Sequence, residues 1–197
     1  MSSLRAFALT IFAFLVLPGI AAAQSGPTTG GTAYVPPPPP APTNLTVPGV
    51  KAKLMPDGTA AAPADAPVEV QQAIWAANTI QDKPYKYGGG HAQIEDNGYD
   101  CSGTVSYALI HAGLLKSPLP SGPFMRWGAK GRGQWITIFA TGGHAYAMIA
   151  GLRLDTSSYS SRIASKRKYK KALERGPRWR PTKRPAAGFR KRHPIGF

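Results

Sequence analysis

"NGYDCSGTVSYALIHAG", residues 97–113, contains the only cysteine of the 197-residue chain. A polar, turn-forming stretch ends at Asp100, and the residues beyond Cys101 are apolar at helical spacing. Val105, Ala108, Leu109 and Ala112 fall on one face, and Gly113 suits a C-terminal cap. The pattern predicts a helix that begins at Cys101. A thiol placed there faces the unpaired N–H groups of a first helical turn and the positive end of the helix dipole, and both favour thiolate over thiol. The same N–H groups suit the oxyanion formed when sulfur attacks a carbonyl. The polar "EDNGYD" turn in front of the helix predicts an exposed thiol.

Upstream, "KPYKYGGGH" (residues 83–91) reads as a glycine loop, and before it "VEVQQAIWAANTI" (68–80) reads as an amphipathic helix. Val70, Ile74 and Ala77 form its stripe and Ala73 and Ile80 flank it. Pro67 suits the first turn, Asp65 the cap, and Pro84 the stop. Downstream, "GQWITIFATGG" (133–143) alternates as a strand. "HAYAMIAGLRLDTS" (144–157) reads as a strand pair bending near Gly151. Helices followed by antiparallel strands predict an α+β domain, with its N-terminal helices packed on one side of an antiparallel sheet.

The chain ends differ from this middle. Residues 1–23 carry Arg5, an apolar run over 6–20, and small residues at 21–23, the pattern of a signal peptide cut before Gln24. Export to the periplasm, cell wall or extracellular space is therefore expected. Residues 24–67 are rich in proline, with five in a row at 36–40, and are expected as a disordered linker. Residues 68–160 are expected as the folded domain and 161–197 as a basic tail. From Thr156 onward there are 14 Lys or Arg against one acid, so most of the net charge of +15 lies there. In an exported protein such a tail suits anionic envelope polymers or lipid headgroups, with no specific nucleic acid; a merely solubilising tail is the alternative.

In an exported chain one cysteine cannot form an internal disulfide, so Cys101 is a free thiol, an intermolecular partner or a nucleophile. A nucleophile needs a base. His193 lies in the basic segment, and His111 sits ten residues along the Cys101 helix, out of reach. His91, on the glycine loop, is a candidate for proximity. His144, at a strand start after Gly142 and Gly143, is the favoured base, with an accessible ring. Asp155 on the adjacent strand is the candidate to orient it, pointing the same way as Arg153. No cofactor is expected, and Cys101, His91 and His144 lack the usual zinc spacing.

"PYKYGGG…NGYDCSGTVSYALIHAG" with "GGHAYAMIAG" resembles the signature of the NlpC/P60 family, over about residues 68–158. The resemblance implies a small papain-like α+β domain acting as a cysteine peptidase on peptidoglycan stem peptides, at a bond of the D-glutamyl–diamino acid type. It matches Cys101 to the nucleophile, His144 to the base, Tyr85 to a tyrosine near the thiol, and Asp100 with Ser102 to residues holding a substrate amine. The family's Pro-Gly-Asp turn before the histidine strand is absent here, and Asp155 stands where His, Asn or Gln is commoner. The enzyme is expected to act as a monomer with peptidoglycan as substrate. Competing readings are an amidase or acyltransferase on the same fold, or a non-catalytic envelope-binding protein.

Overall fold

The computed structural model describes residues 45–157, 176–181 and 184–197. Among these residues, three short strands, β1 (Thr46–Val47), β2 (Lys53–Leu54) and β3 (Ala60–Pro63), precede three helices, α1 (Val68–Thr79), α2 (Cys101–His111) and α3 (Ser121–Phe124). Six strands follow: β4 (Ala129–Lys130), β5 (Ile136–Ala140), β6 (Ala145–Ile149), β7 (Leu152–Leu154), β8 (Trp179–Arg180) and β9 (Arg190–His193). These six form one sheet in the order β4-β9-β5-β6-β7-β8, with every pairing antiparallel. The first three form a small separate sheet, β1-β3-β2. The class is α+β, as expected.

Local chemistry explains the central elements. α1 buries Val70, Ala73, Ile74 and Ala77, the stripe read from its spacing. Its cap differs from expectation: Pro67 occupies the N-cap without a side-chain bond, and its carbonyl accepts from Val70 and Gln71, which leaves Asp65 no role there. α2 ends as expected, with Gly113 at φ 70° and the Leu114 N–H donating to the Leu109 carbonyl. β6 and β7 are joined through Ala150 and Gly151, both at positive φ, between the paired Ile149 and Leu152. Two such residues match the twist of a tight hairpin. α1 packs against α2 and β3, and α2 packs against β6. The core between them holds Ile74, Leu109, Phe124, Ile136, Ile138, Ile149 and Leu154.

The expected linker and the expected basic tail both carry strands. Of the linker assigned to 24–67, residues from Leu45 onward carry β1 to β3, and Ala60, Ala61 and Ala62 are buried. The Asn78 side chain in α1 takes the place of a strand partner: its Nδ2 donates to the Ala60 carbonyl and its Oδ1 accepts from the Ala60 N–H, both at 2.9 Å. Alanines without bulk lie close beneath a helix, and by composition alone they look like linker. Of the tail assigned to 161–197, residues 179–180 and 190–193 are strands, and β9 lies between β4 and β5. Trp179 is buried; its N–H donates to Gln81 Oε1 and its indole to Asn78 Oδ1, both at 2.8 Å. Burying so large an apolar side chain contributes about 3 kcal/mol. Ladder bonds use the backbone, so a run of basic residues is no obstacle to a strand. Deleting 162–197 would remove two sheet strands. The expected signal peptide and the proline run lie outside the described residues.

Candidate active site

Asp100 caps α2 and so fixes where Cys101 stands. Its Oδ1 accepts from the Gly103 N–H at 2.7 Å, and its carbonyl accepts from the Thr104 hydroxyl at 2.8 Å. The glycine loop closes on this cap. The Gly88 N–H donates to Asp100 Oδ2 at 3.1 Å, and the Asp100 N–H donates to the Gly89 carbonyl at 3.2 Å. Tyr85 forms a bridge with Tyr99 and sits half-buried in this loop. Burial pushes its phenol up to about 12, with negative charge at Cys101 and Asp100 adding to the effect, so Tyr85 neighbours both.

Cys101 is buried, 8% exposed, and not open as the polar turn suggests. His144, expected to be accessible, is 5% exposed. The ring leads into β6, and its Nε2 meets Asp155 Oδ1 at 3.0 Å. Burial alone would lower the imidazole's pKa; hydrogen bonds with Asp155 and the Cys101 thiol outweigh it and raise the value to about 8. With Nε2 engaged by Asp155, Nδ1 is the nitrogen left for the sulfur. Cys101, His144 and Asp155 are thus brought together.

Asp155 follows β7 and is buried among cations. Burial would raise its pKa, but the His144 hydrogen bond and the Arg184 and Arg153 charges carry it below the usual carboxylate value. Arg153 Nε lies 3.5 Å from Asp155 Oδ2, which accounts for an arginine buried on β7. The Ser157 N–H also donates to Oδ1 at 2.9 Å.

Arg184, inside the expected tail, was missed by sequence reasoning. Its Nη1 lies 3.2 Å from Asp155 Oδ2 and 3.0 Å from His144 Nε2, and its guanidinium lies over the Tyr146 and Phe189 rings at 5.4 and 5.2 Å. Phe189 also packs edge-on against His144, with centroids 6.3 Å apart. These two residues supply the cover that buries the histidine. Nε2 cannot donate to Asp155 and accept from Arg184 at once; in the charged ring it donates to Asp155, and Arg184 keeps Oδ2. Nothing local distinguishes Arg184 from the other basic residues around it, whereas aromatic residues such as Trp179 and Phe189 interrupt that run and are a signal of burial.

The remaining candidates form a second cluster. Ser102 Oγ donates to Asp100 Oδ1 at 3.1 Å, and His91 Nε2 lies 3.0 Å from Asp100 Oδ1 and 3.2 Å from Ser102 Oγ. His91 therefore joins the cap. His111 pairs with Glu95 at 3.1 Å, away from the thiol. Among the described residues, no group of three or more His, Cys, Asp or Glu is placed to hold a metal ion.

The histidine sets a pH dependence of stability. Its folded pKa of about 8 lies above its ordinary 6.5, so its stabilising contribution is complete below about 6.5 and is lost as pH rises through 8. Asp155 has the opposite sign: its contribution is present above the ordinary carboxylate value and is lost on acidification. Urea unfolding should show the protein losing about 2 kcal/mol more than His144→Gln between pH 6 and pH 9. Equal losses would refute the coupling.

No family model matches the chain, and no curated protein matches it. Several solved structures are similar to it, two of them as follows. One is the peptidoglycan hydrolase RipB from Mycobacterium tuberculosis, at 21% identity and TM-score 0.45, covering 66% of this chain and 66% of that one. The other is the P60 domain of an antigen from M. avium subspecies paratuberculosis, at 19% identity and TM-score 0.42, covering 64% of this chain and 94% of that one.

Proposed function

We propose that this chain is an exported cysteine peptidase that hydrolyses peptidoglycan stem peptides at a D-glutamyl–diamino acid type of bond. The observation that carries the reading is the buried Cys101 thiol at the start of α2 together with a buried histidine whose Nε2 is held by Asp155 at 3.0 Å. The substrate class comes from the resemblance of the cysteine and glycine-loop motifs to the NlpC/P60 signature. Among the described residues no helix is long and apolar enough to cross a membrane.

In this reading Cys101 gives its proton to His144 Nδ1 as sulfur attacks the scissile carbonyl carbon. The oxyanion is met by N–H groups of the first turn of α2, and the Tyr85 hydroxyl donates beside it. His144 then protonates the leaving amine, and the carbon–nitrogen bond breaks. A water molecule, deprotonated by the same ring, cleaves the thioester and frees the thiol. Asp155 fixes the ring orientation and stabilises the imidazolium. Asp100 and Ser102 hold the substrate's amino group. Asp100 Oδ1 is engaged by Gly103, Ser102 and His91 and Oδ2 by the Gly88 N–H, so Oδ2 is the oxygen with more acceptor capacity to offer the amine.

Digestion of purified muropeptides by residues 24–197, read by mass spectrometry, tests the reading. Cleavage at the D-glutamyl–diamino acid bond is expected; cleavage at another amide, or none by folded protein with a reduced thiol, would overturn it.

Arg184→Gln gives a second check. It removes one of the cations that, with His144, hold Asp155 ionised, so the acid limb of the pH–rate profile should move to higher pH. An unmoved limb would show that Arg184 has no electrostatic part in the site.

A further inference from the structure

The cationic C-terminal residues line a cavity. It has a volume of about 470 Å³ and lies between Met125–Arg126 and Lys130–Gly131 on one side and Phe189–Arg192 on the other. Arg126, Lys130, Arg190, Lys191 and Arg192 line it, and among the described residues no carboxylate does.

The walls are built. β4 pairs with β9 in a register that sets Lys130 opposite Arg192, and the Gly131 N–H donates to the Lys191 carbonyl at 3.0 Å. Arg192 Nε donates to the Met125 carbonyl at 2.8 Å, tying the two walls together. Gly128 makes the approach close, since a Cβ there would run into the His193 carbonyl. Five like charges around one cavity repel one another, and no acidic side chain among its described lining residues relieves this. Such a concavity focuses a positive potential, and guanidinium groups match carboxylate and phosphate oxygens in bidentate geometry.

Its position is as informative as its charge. Phe189 lines the cavity and also packs against the His144 ring. An occupant therefore lies one aromatic ring from the base that serves Cys101. We infer that this groove is a subsite for an oxyanion-bearing stretch of the wall substrate, carboxylate or phosphodiester, attached to the peptide presented to Cys101. The inference deepens the peptidase reading and rests on it for the identity of the substrate, while the presence of an oxyanion site is tested without turnover.

The test is calorimetric binding of inorganic tripolyphosphate to the chain carrying Cys101→Ala, at several salt concentrations. Arg190→Gln with Lys191→Gln should weaken binding at least tenfold and flatten its salt dependence. Arg126→Gln with Lys130→Gln, on the opposite wall, should do the same, which guards against misfolding of β9. Lys51→Gln with Lys53→Gln removes equal charge away from the groove and should leave binding intact. Equal losses in all three pairs, or in none, would mean adsorption to net positive charge and overturn the subsite. With Cys101 restored, a raised KM for muropeptides in the groove variants assigns the site to stem-peptide carboxylates. An unchanged KM, together with weaker binding to phosphodiester-bearing wall, assigns it to phosphate. If neither changes, the link to the substrate is overturned. If no muropeptide is cleaved by any variant, the peptidase reading fails, while the tripolyphosphate result still decides the oxyanion site.

Discussion

Cys101→Ala is expected to lower muropeptide turnover by at least about 10⁴-fold while leaving the fold intact. The sulfur is the only thiol in the chain, so no neighbour can replace it as nucleophile. His144 and Asp155 would stay paired, but a base without a nucleophile leaves only direct attack by water on an unactivated amide. The residue is small and buried, and the substitution removes one sulfur atom, so the structural cost is about 1 kcal/mol. Thermal unfolding and mass spectrometry of the digest, measured on the same preparation, separate the two effects. A stable variant that still cleaves would remove Cys101 from the mechanism. Because Cys101 is the sole thiol, its rate of alkylation also reports the state of the His144 pair without any substrate.

Gly103→Ala is expected to destabilise the protein by about 3 kcal/mol, lowering the melting temperature by roughly 6–12 °C. The sign runs against helix propensity, since alanine in place of a helix-interior glycine normally stabilises by about 1 kcal/mol. Here a Cβ would run into the backbone carbonyl of Gly89, and backbone cannot rotate away as a flexible side chain can. That carbonyl accepts from the Asp100 N–H, so the substitution pushes the glycine loop off the cap of α2. Turnover should fall with stability, because the loop also carries Tyr85. A melting temperature that is unchanged or raised would refute the close approach. The pairing of "GGG" with "DCSG" in the sequence thus has a steric cause: helix and loop meet at two glycines.

Those elements were legible because their determinants are local. An aspartate before an apolar periodic run, a glycine after it, and an Ala-Gly pair between alternating residues each constrain only a few neighbouring dihedrals. Cys101, His144 and Asp155 were legible as residue types at the start of a helix, the start of a strand and the end of the adjacent strand. Their exposure was not. His144 is buried because Arg184 and Phe189, far along the chain, fold over it, and a local pattern carries no record of that.

The sequence by itself determined that α2 begins at Cys101, that β6 and β7 form a hairpin, and that His144 and Asp155 flank these neighbouring strands. Capping, periodicity and turn conformation act over a few residues, and the side chains there encode them directly. Only the tertiary structure decided that Ala60–Ala62 lie beneath α1, that β9 joins the middle of the sheet, and that Arg184 and Phe189 close over the histidine. Strand pairing is made by backbone groups that every residue carries, so an alanine-rich or arginine-rich segment gives no local sign of its partner. That partner is chosen by which distant edge and which apolar surface are left to cover.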